Sequence, residues 1–512
     1  MFDRFVSRTI KLAEWIVVLG ATLIISYLAI SAWGNAFDAD TSIPLKDNWF
    51  THFVIMGIVI FVFYGISFLN RKPQLGNWVV RVLFICAFLF IGRMCWSFVV
   101  QTLIQPEGDT LACMKIATWF YESDFRAVAP KDSYLSLWPF QTGFVFILEK
   151  TMRLLGETGP LLFQKINCLY VLFMYVTGYG IVCAITKRVE CKIAYVLAAV
   201  TYSPILFSVT EVYGDLPAYA WIMFSSLCFI YWSKGKKYSW IWLLLFNGGI
   251  VFACVYKRNC LIHAIAFLLV FLVMQLRKKQ VLYTIVTIIM FIIAVLGTNI
   301  TTKYYEIYAQ NTCGKGVPAI AFIAMGLQYD SGGGWNGFHS DTYIQTGYDN
   351  KETVRISKES IADSIEVFKD NPSFCMEFFH NKVLVQWANA THGVFWGLGN
   401  VFDVNRNPEA YWVYYLYGEK YHRMVPFMDI HQSIIYGILF LSSIILLIGL
   451  VKKENMKLEY LVSYVALIGG FLFSLIWEAQ TGAVMYYLIL LLPIAIGVIG
   501  THMEKISKKI NG

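Results

Sequence analysis

Apolar residues in this chain run in blocks of about 20, separated by short charged clusters. Three blocks open the chain at about 12–33, 52–69 and 79–103. Six follow at about 161–186, 193–209, 216–233, 239–256, 260–276 and 281–298. Three more close it at about 430–451, 458–476 and 484–501. An apolar run of this length bounded by charge predicts a helix that crosses a bilayer. Lipid offers no hydrogen bonds, so each span must satisfy its backbone groups as helix. Twelve such blocks predict an all-α polytopic membrane protein. A first block without a small-residue cleavage site predicts an uncleaved span.

The charged clusters orient the spans, because Lys and Arg collect on the cytoplasmic side. Arg4, Arg8 and Lys11 place the N-terminus inside. Arg71, Lys72 and Arg81, then Lys187, Arg188 and Lys192, then Lys234, Lys236 and Lys237 mark inner loops. Arg277-Lys278-Lys279, Lys452-Lys453 and Lys505, Lys508 and Lys509 continue the alternation. The stretch 138–155 is apolar but interrupted by Glu149, Lys150 and Arg153. Reading it as a span would put Lys187-Arg188 outside, so it is predicted to lie on the outer surface. The expected organisation is a transmembrane module over 1–300 with an outer loop at 104–160. An extracytoplasmic, mostly helical segment over 301–428 and closing spans over 429–512 follow. Within 301–428, Ser331-Gly332-Gly333-Gly334-Trp335-Asn336 predicts turns. Amphipathic helices are expected at about 351–370 and from Phe374 to Trp387, the second on the membrane.

Composition agrees with this picture. The 512 residues are 58% hydrophobic, 17% aromatic and only 14% charged, against about 25% charged in a soluble domain. The net charge of +8 follows the orientation rule and gives no reason to expect nucleic acid. Eleven cysteines are scattered, several inside apolar blocks. None has metal-ligand spacing. A Cys313–Cys375 bridge is the one pairing the layout leaves open. No metal site is expected, although a divalent cation as cofactor stays open.

Some charges are not explained by topology. Asp109 and Glu107 follow span 3 in Gln105-Pro106-Glu107-Gly108-Asp109-Thr110. A carboxylate held where a helix leaves the bilayer can deprotonate a hydroxyl on a substrate at the surface. Either could be the base, and Glu122, Asp124 and Asp132 share the loop. Lys257-Arg258 lie on the side where basic residues are not expected, and both suit phosphate. Arg93 lies in mid-span, where it would pair with a carboxylate or face a polar path. Glu211 and Asp215 flank a Tyr-Gly turn, with Asp215 also suited to capping. Glu478 follows Trp477 at a span end, where an interfacial anchor is the plain alternative. His263 reads as a packing residue. There is no phosphate-binding P-loop, Rossmann fingerprint or Ser-His-Asp spacing.

Four stretches carry a resemblance. They are Pro106-Glu107-Gly108-Asp109 with Tyr134-Leu135-Ser136-Leu137-Trp138-Pro139-Phe140-Gln141; Glu211-Val212-Tyr213-Gly214-Asp215-Leu216-Pro217; Gly248-Gly249 leading to Lys257-Arg258; and Met325-Gly326-Leu327 with Gly332–Gly334, Lys382–Trp387 and Trp477-Glu478. From about residue 79 onward the chain resembles the C-type (GT-C) superfamily of integral-membrane glycosyltransferases. It looks most like bacterial relatives of protein O-mannosyltransferases. The resemblance implies a polyprenyl-phosphate-linked sugar donor and inverting transfer outside the cytoplasm to a glycan, lipid or protein hydroxyl. It implies Asp109 as base, Lys257 or Arg258 on the donor phosphate, and membrane lipid as surroundings. Arg93, Asp132, Tyr134, Glu211, Asp215 and Glu478 are further candidates for substrate contact. Two rivals remain: a polymerase or ligase using a diphosphate-linked donor, and a transporter or flippase of lipid-linked sugars.

Overall fold

The computed structural model describes residues 2–37, 44–235, 237–278, 280–394, 411–417, 423–454, 456–480, 482 and 484–511. Parts of the 301–428 segment, 395–410 and 418–422, lie outside the described residues, as do Lys236 and Lys279 of the predicted inner clusters. The protein is an all-α polytopic membrane protein. Eleven helices among the described residues are long and apolar enough to cross a membrane, and a bent pair brings the number to twelve. A two-stranded antiparallel hairpin, Asn35–Phe37 with Pro44–Lys46, sits between the first two spans.

Local chemistry sets the helix ends. Pro73, Pro160 and Pro372 stand at first-turn positions, where a missing N–H costs nothing. Gly156 takes a left-handed conformation (φ 72°) and stops the Thr142–Leu155 helix, its N–H bonding to Met152 O at 2.8 Å. That helix has 14 residues, too few for a span, in accord with the disfavoured reading of 138–155 as transmembrane.

Three expectations about elements need correction. The block at 193–209 is not one straight span: Val189–Thr201 and Ser203–Thr210 meet at 51°. Pro204 in the new first turn cannot donate to the ladder and crowds the turn before it. The block at 281–298 continues as helix through Ala309, so the segment after it begins later than 301. The stretch Phe374–Trp387 is an α-helix, Pro372–Val383, followed by a π-helical turn, Leu384–Ala388. All eleven cysteines are free thiols, so Cys313 and Cys375 are not bridged. Cys313 Sγ instead approaches Leu135 O at 3.2 Å.

The first span, Val6–Gly34, packs against Val425–Val451 and the helix Val462–Ile476. Pro160–Ile185 packs on Pro73–Thr102, Asp215–Ser233 and the Met485–Asn511 helix. Met485–Lys509 is the most enclosed span and Trp49–Arg71 the least. His263 is buried and stacks on Tyr487 at 4.8 Å, the packing role expected of it.

Span ends gather into two chemically different ends. At one, Glu190 accepts from Arg188 and Asn70, and Glu504 accepts from Thr186 Oγ1 and the Lys187 N–H. Lys505 pairs with Glu454 there. The other end carries the Gly108–Tyr121 helix and the helices Ala319–Leu327, Phe338–Gln345, Asn350–Asp370 and Pro372–Val383. Trp387 joins those helices to the bundle. Its ring is fully buried and donates to Ser474 Oγ at 3.0 Å, and its carbonyl accepts from Gln432 and Tyr436, both at 2.7 Å.

Candidate functional site

Asp109 owes its position to a helix start. The Pro73–Thr102 helix stops at Leu103, which is left-handed at φ 49°. The chain then turns, and Gly108 (φ 53°) opens the Gly108–Tyr121 helix. The Glu107 N–H donates to Thr110 Oγ1 at 3.1 Å, and the Glu107 carbonyl accepts from the Thr110 and Leu111 N–H groups. Asp109 therefore sits in the first helical turn, where the helix dipole favours a carboxylate. It is exposed.

A close backbone contact brings the second group in. A Cβ on Gly214 would stand 2.3 Å from the carbonyl oxygen of Tyr256, so only glycine allows this approach. The approach sets Asp215, first residue of its span, beside Lys257 in the break between two others. Lys257 Nζ donates to Asp215 Oδ2 at 2.7 Å and lies 3.8 Å from the Tyr213 ring centre. Gln141 Nε2 fixes the Tyr213 hydroxyl at 2.5 Å. Asp215 Oδ1 is buried with no partner among the described residues, leaving an acceptor for a ligand or water.

A third group comes from the far part of the chain. Lys382 is buried and donates to the carbonyl of Gly326. Glu478 is also buried and accepts from Gln480 Nε2 at 3.2 Å.

These groups share one cavity of about 950 Å³. Glu107, Asp109, Glu211, Asp215, Lys257 and Glu478 all line it. The cavity is an electrostatic unit as well as a space. Burial, with Asp215 adding to it and Lys257 opposing it, pushes the Glu211 carboxyl up to about 7. Glu211 is accessible from the cavity but enclosed by protein around it. Burial opposes charge on Lys257, yet Asp215 and Tyr213 outweigh it and hold the amine above the ordinary lysine range. Burial pulls the Lys382 amine down to about 7, with Glu478 opposing. Burial raises the Glu478 carboxyl, and the Asp109 charge raises it further.

Four predicted residues lie elsewhere. Arg258 begins the turn after Lys257, is exposed and does not line the cavity. Lys257 is extended (φ −147°, ψ 115°) and the next residue re-enters a helical turn, so the two side chains diverge. Arg93 is exposed on its span and pairs with no carboxylate among the described residues. It does not line the cavity. Asp132 is exposed and bonds the Tyr348 hydroxyl at 2.9 Å, clipping the 104–160 loop to the later segment. Tyr134 is not in the cavity lining but accepts from Cys113 Sγ at 3.8 Å.

Reading the sequence missed Lys382, Tyr213, Trp335 and His392 as lining residues. Only Lys382 left a signal: a single lysine before the apolar run Val383-Leu384-Val385. Among the described residues no group of three His, Cys, Asp or Glu side chains is arranged to hold a metal ion. Comparison with protein-family models, with curated proteins and with solved structures finds no match to this chain.

Proposed function

We propose that this protein is a membrane glycosyltransferase. It moves a sugar from a polyprenyl-phosphate carrier to a hydroxyl of a glycan, lipid or protein outside the cytoplasm. The observation that carries this reading is that Asp109 and Lys257 line the same cavity at one end of the bundle. Inverting transfer needs little more than these two. The acceptor oxygen attacks the anomeric carbon, its proton passes to Asp109, and the carbon–oxygen bond to phosphate breaks. The polyprenyl phosphate leaves with one more negative charge, which Lys257 stabilises while Asp215 holds the amine in place. Glu107 lines the same cavity and is the competing base. The opposite end, rich in Lys and Arg, is taken as cytoplasmic, which puts both termini inside and the cavity outside.

Lys382 favours a second reading. A second amine in the cavity suits a diphosphate-linked donor, as a polymerase or ligase would use.

The test gives purified protein a polyprenyl-phosphate sugar and candidate acceptors. Asp109→Asn should lower turnover by about 10²–10⁴ with folding intact. Normal turnover in Asp109→Asn together with loss in Glu107→Gln would move the base to Glu107. Turnover with a diphosphate-linked donor alone would favour the second reading.

A further inference from the structure

One face of the Pro372–Val383 helix and its π-helical extension is turned wholly to the cavity. Phe374, Glu377, Phe378, Asn381, Lys382 and Val385 follow the 3–4 residue spacing of a single helical stripe, and all six line it. The Tyr329–Trp335 loop also lines the cavity and meets this face where the Tyr329 and Phe374 rings pack edge to face at 6.0 Å. Glycine makes the loop: Gly332 and Gly333 are left-handed, at φ 61° and 72°.

Three exposed members of this wall have no side-chain partner among the described residues. Trp335 is 69% exposed and makes no ring contact among the described residues. Glu377 and Asn381 are exposed, and their side chains make no hydrogen bond or ion pair among the described residues. An indole and a tyrosine ring beside a carboxylate and an amide that have no partner among the described residues is a composition that matches a sugar. The C–H face of a pyranose is apolar and packs on an aromatic ring. Its hydroxyls both donate and accept, as the carboxylate and amide require. Charge narrows the match. The described lining holds six carboxylates, Glu107, Asp109, Glu211, Asp215, Glu377 and Glu478, against two lysines. One of those lysines is already paired with Asp215. At this wall Glu377 would repel a phosphate or carboxylate group on an acceptor, whereas the donor phosphate meets Lys257 elsewhere in the cavity. A volume of about 950 Å³ is near the top of the roughly 300–1,000 Å³ range of ligand pockets, with room for an acceptor beside the donor sugar.

We propose that the wall formed by Trp335, Tyr329, Phe374, Glu377 and Asn381 binds the acceptor, and that the acceptor is an uncharged saccharide. This rests on the transferase reading above, and the experiment separates the two. Saturation-transfer NMR on the full chain in nanodiscs would use maltotetraose, mannotetraose and chitotetraose as probes. Hyaluronan tetrasaccharide, a serine- and threonine-rich decapeptide and diacylglycerol-loaded nanodiscs form the competing arms. At least one neutral tetrasaccharide should bind. Its Kd should rise tenfold or more in Trp335→Ala and in the Glu377→Gln/Asn381→Ala double variant. It should stay unchanged in Met376→Ala, which alters a 69% exposed side chain outside the lining. Absence of neutral-saccharide binding, or binding indifferent to both wall variants, overturns the proposal. So does Trp335-dependent binding of the hyaluronan fragment, the peptide or the diacylglycerol. Wall-dependent saccharide binding without donor turnover that depends on Asp109 or Glu107 would sink the transferase reading and keep the saccharide site. Donor turnover without saccharide binding would do the reverse.

Discussion

Glu211 and Lys382 are moved by burial toward the same pH from opposite sides. The Glu211 carboxyl rises from 4.5 to about 7 and the Lys382 amine falls from 10.5 to about 7. Between pH 4.5 and 7 the folded protein holds a proton on Glu211 that the unfolded chain has released, so stability falls as pH rises. Between pH 7 and 10.5 the unfolded chain holds the extra proton, on Lys382, so stability rises again. Melting temperature against pH, by scanning fluorimetry in detergent, should pass through a minimum near pH 7. Glu211→Gln should remove the acid-side fall and Lys382→Met the alkaline-side rise. Variant profiles parallel to wild type would show that neither group titrates as its surroundings dictate. Residue-level legibility was uneven for a physical reason. Lys257 could be singled out because its charge stood at a span end where topology gave it no place. Lys382 shows only as a lone lysine before an apolar run, because the carbonyl it meets, that of Gly326, is 56 residues away in the chain. Arg258 was grouped with Lys257 by adjacency, whereas the backbone change between them sends only one side chain inward.

At the scale of elements, the Thr142–Leu155 helix braces the one that carries Asp109. Glu149 is buried and bonded by Arg153, by Lys150 at 2.8 Å and by Tyr305 at 3.4 Å. Arg153 also reaches Phe120 O at 2.7 Å, at the far end of the Gly108–Tyr121 helix. Thr142 ties the same brace to Thr302 at 2.7 Å. Removing a partner from a fully buried pair costs about 3–5 kcal/mol. Lys150 and Arg153 reach solvent, so Glu149→Leu should cost less, about 1–3 kcal/mol. Denaturant unfolding should register that loss, and Asp109-dependent turnover should fall with it. Stability equal to wild type would remove Glu149 from this role. The charges that made 138–155 a poor span in the sequence are those that form the brace. The sequence therefore argues against a span here, but does not show that the carboxylate is buried. The bend at Pro204 had a visible cause too, since a proline sat inside a block read by hydropathy alone.

For the whole molecule, two ends of opposite character imply a definite sidedness. Single cysteines placed at Asp132 and Lys453 in a cysteine-free background should label differently with a membrane-impermeant maleimide on intact cells. Asp132→Cys is expected to react at once, and Lys453→Cys only after the membrane is opened. The reverse pattern would invert the assignment and move the cavity to the cytoplasm. Span positions were legible because a bilayer imposes the same length and polarity rule on every crossing. The cavity was not, because its walls come from span ends and loops up to several hundred residues apart, and no periodicity records which ends meet.

The pairing of the first span with Val425–Val451 also has a consequence in time. Some 390 residues separate Gly34 from Val425. At about 5–20 residues per second, the ribosome needs roughly 20–80 s to deliver the partner. Throughout that interval Thr22 and Trp33, whose side chains donate to the carbonyls of Ser443 and Ser433 in the finished bundle, lack those partners. The first span therefore waits for a partner made long after it, and this side of the bundle closes only once Val425–Val451 has been delivered.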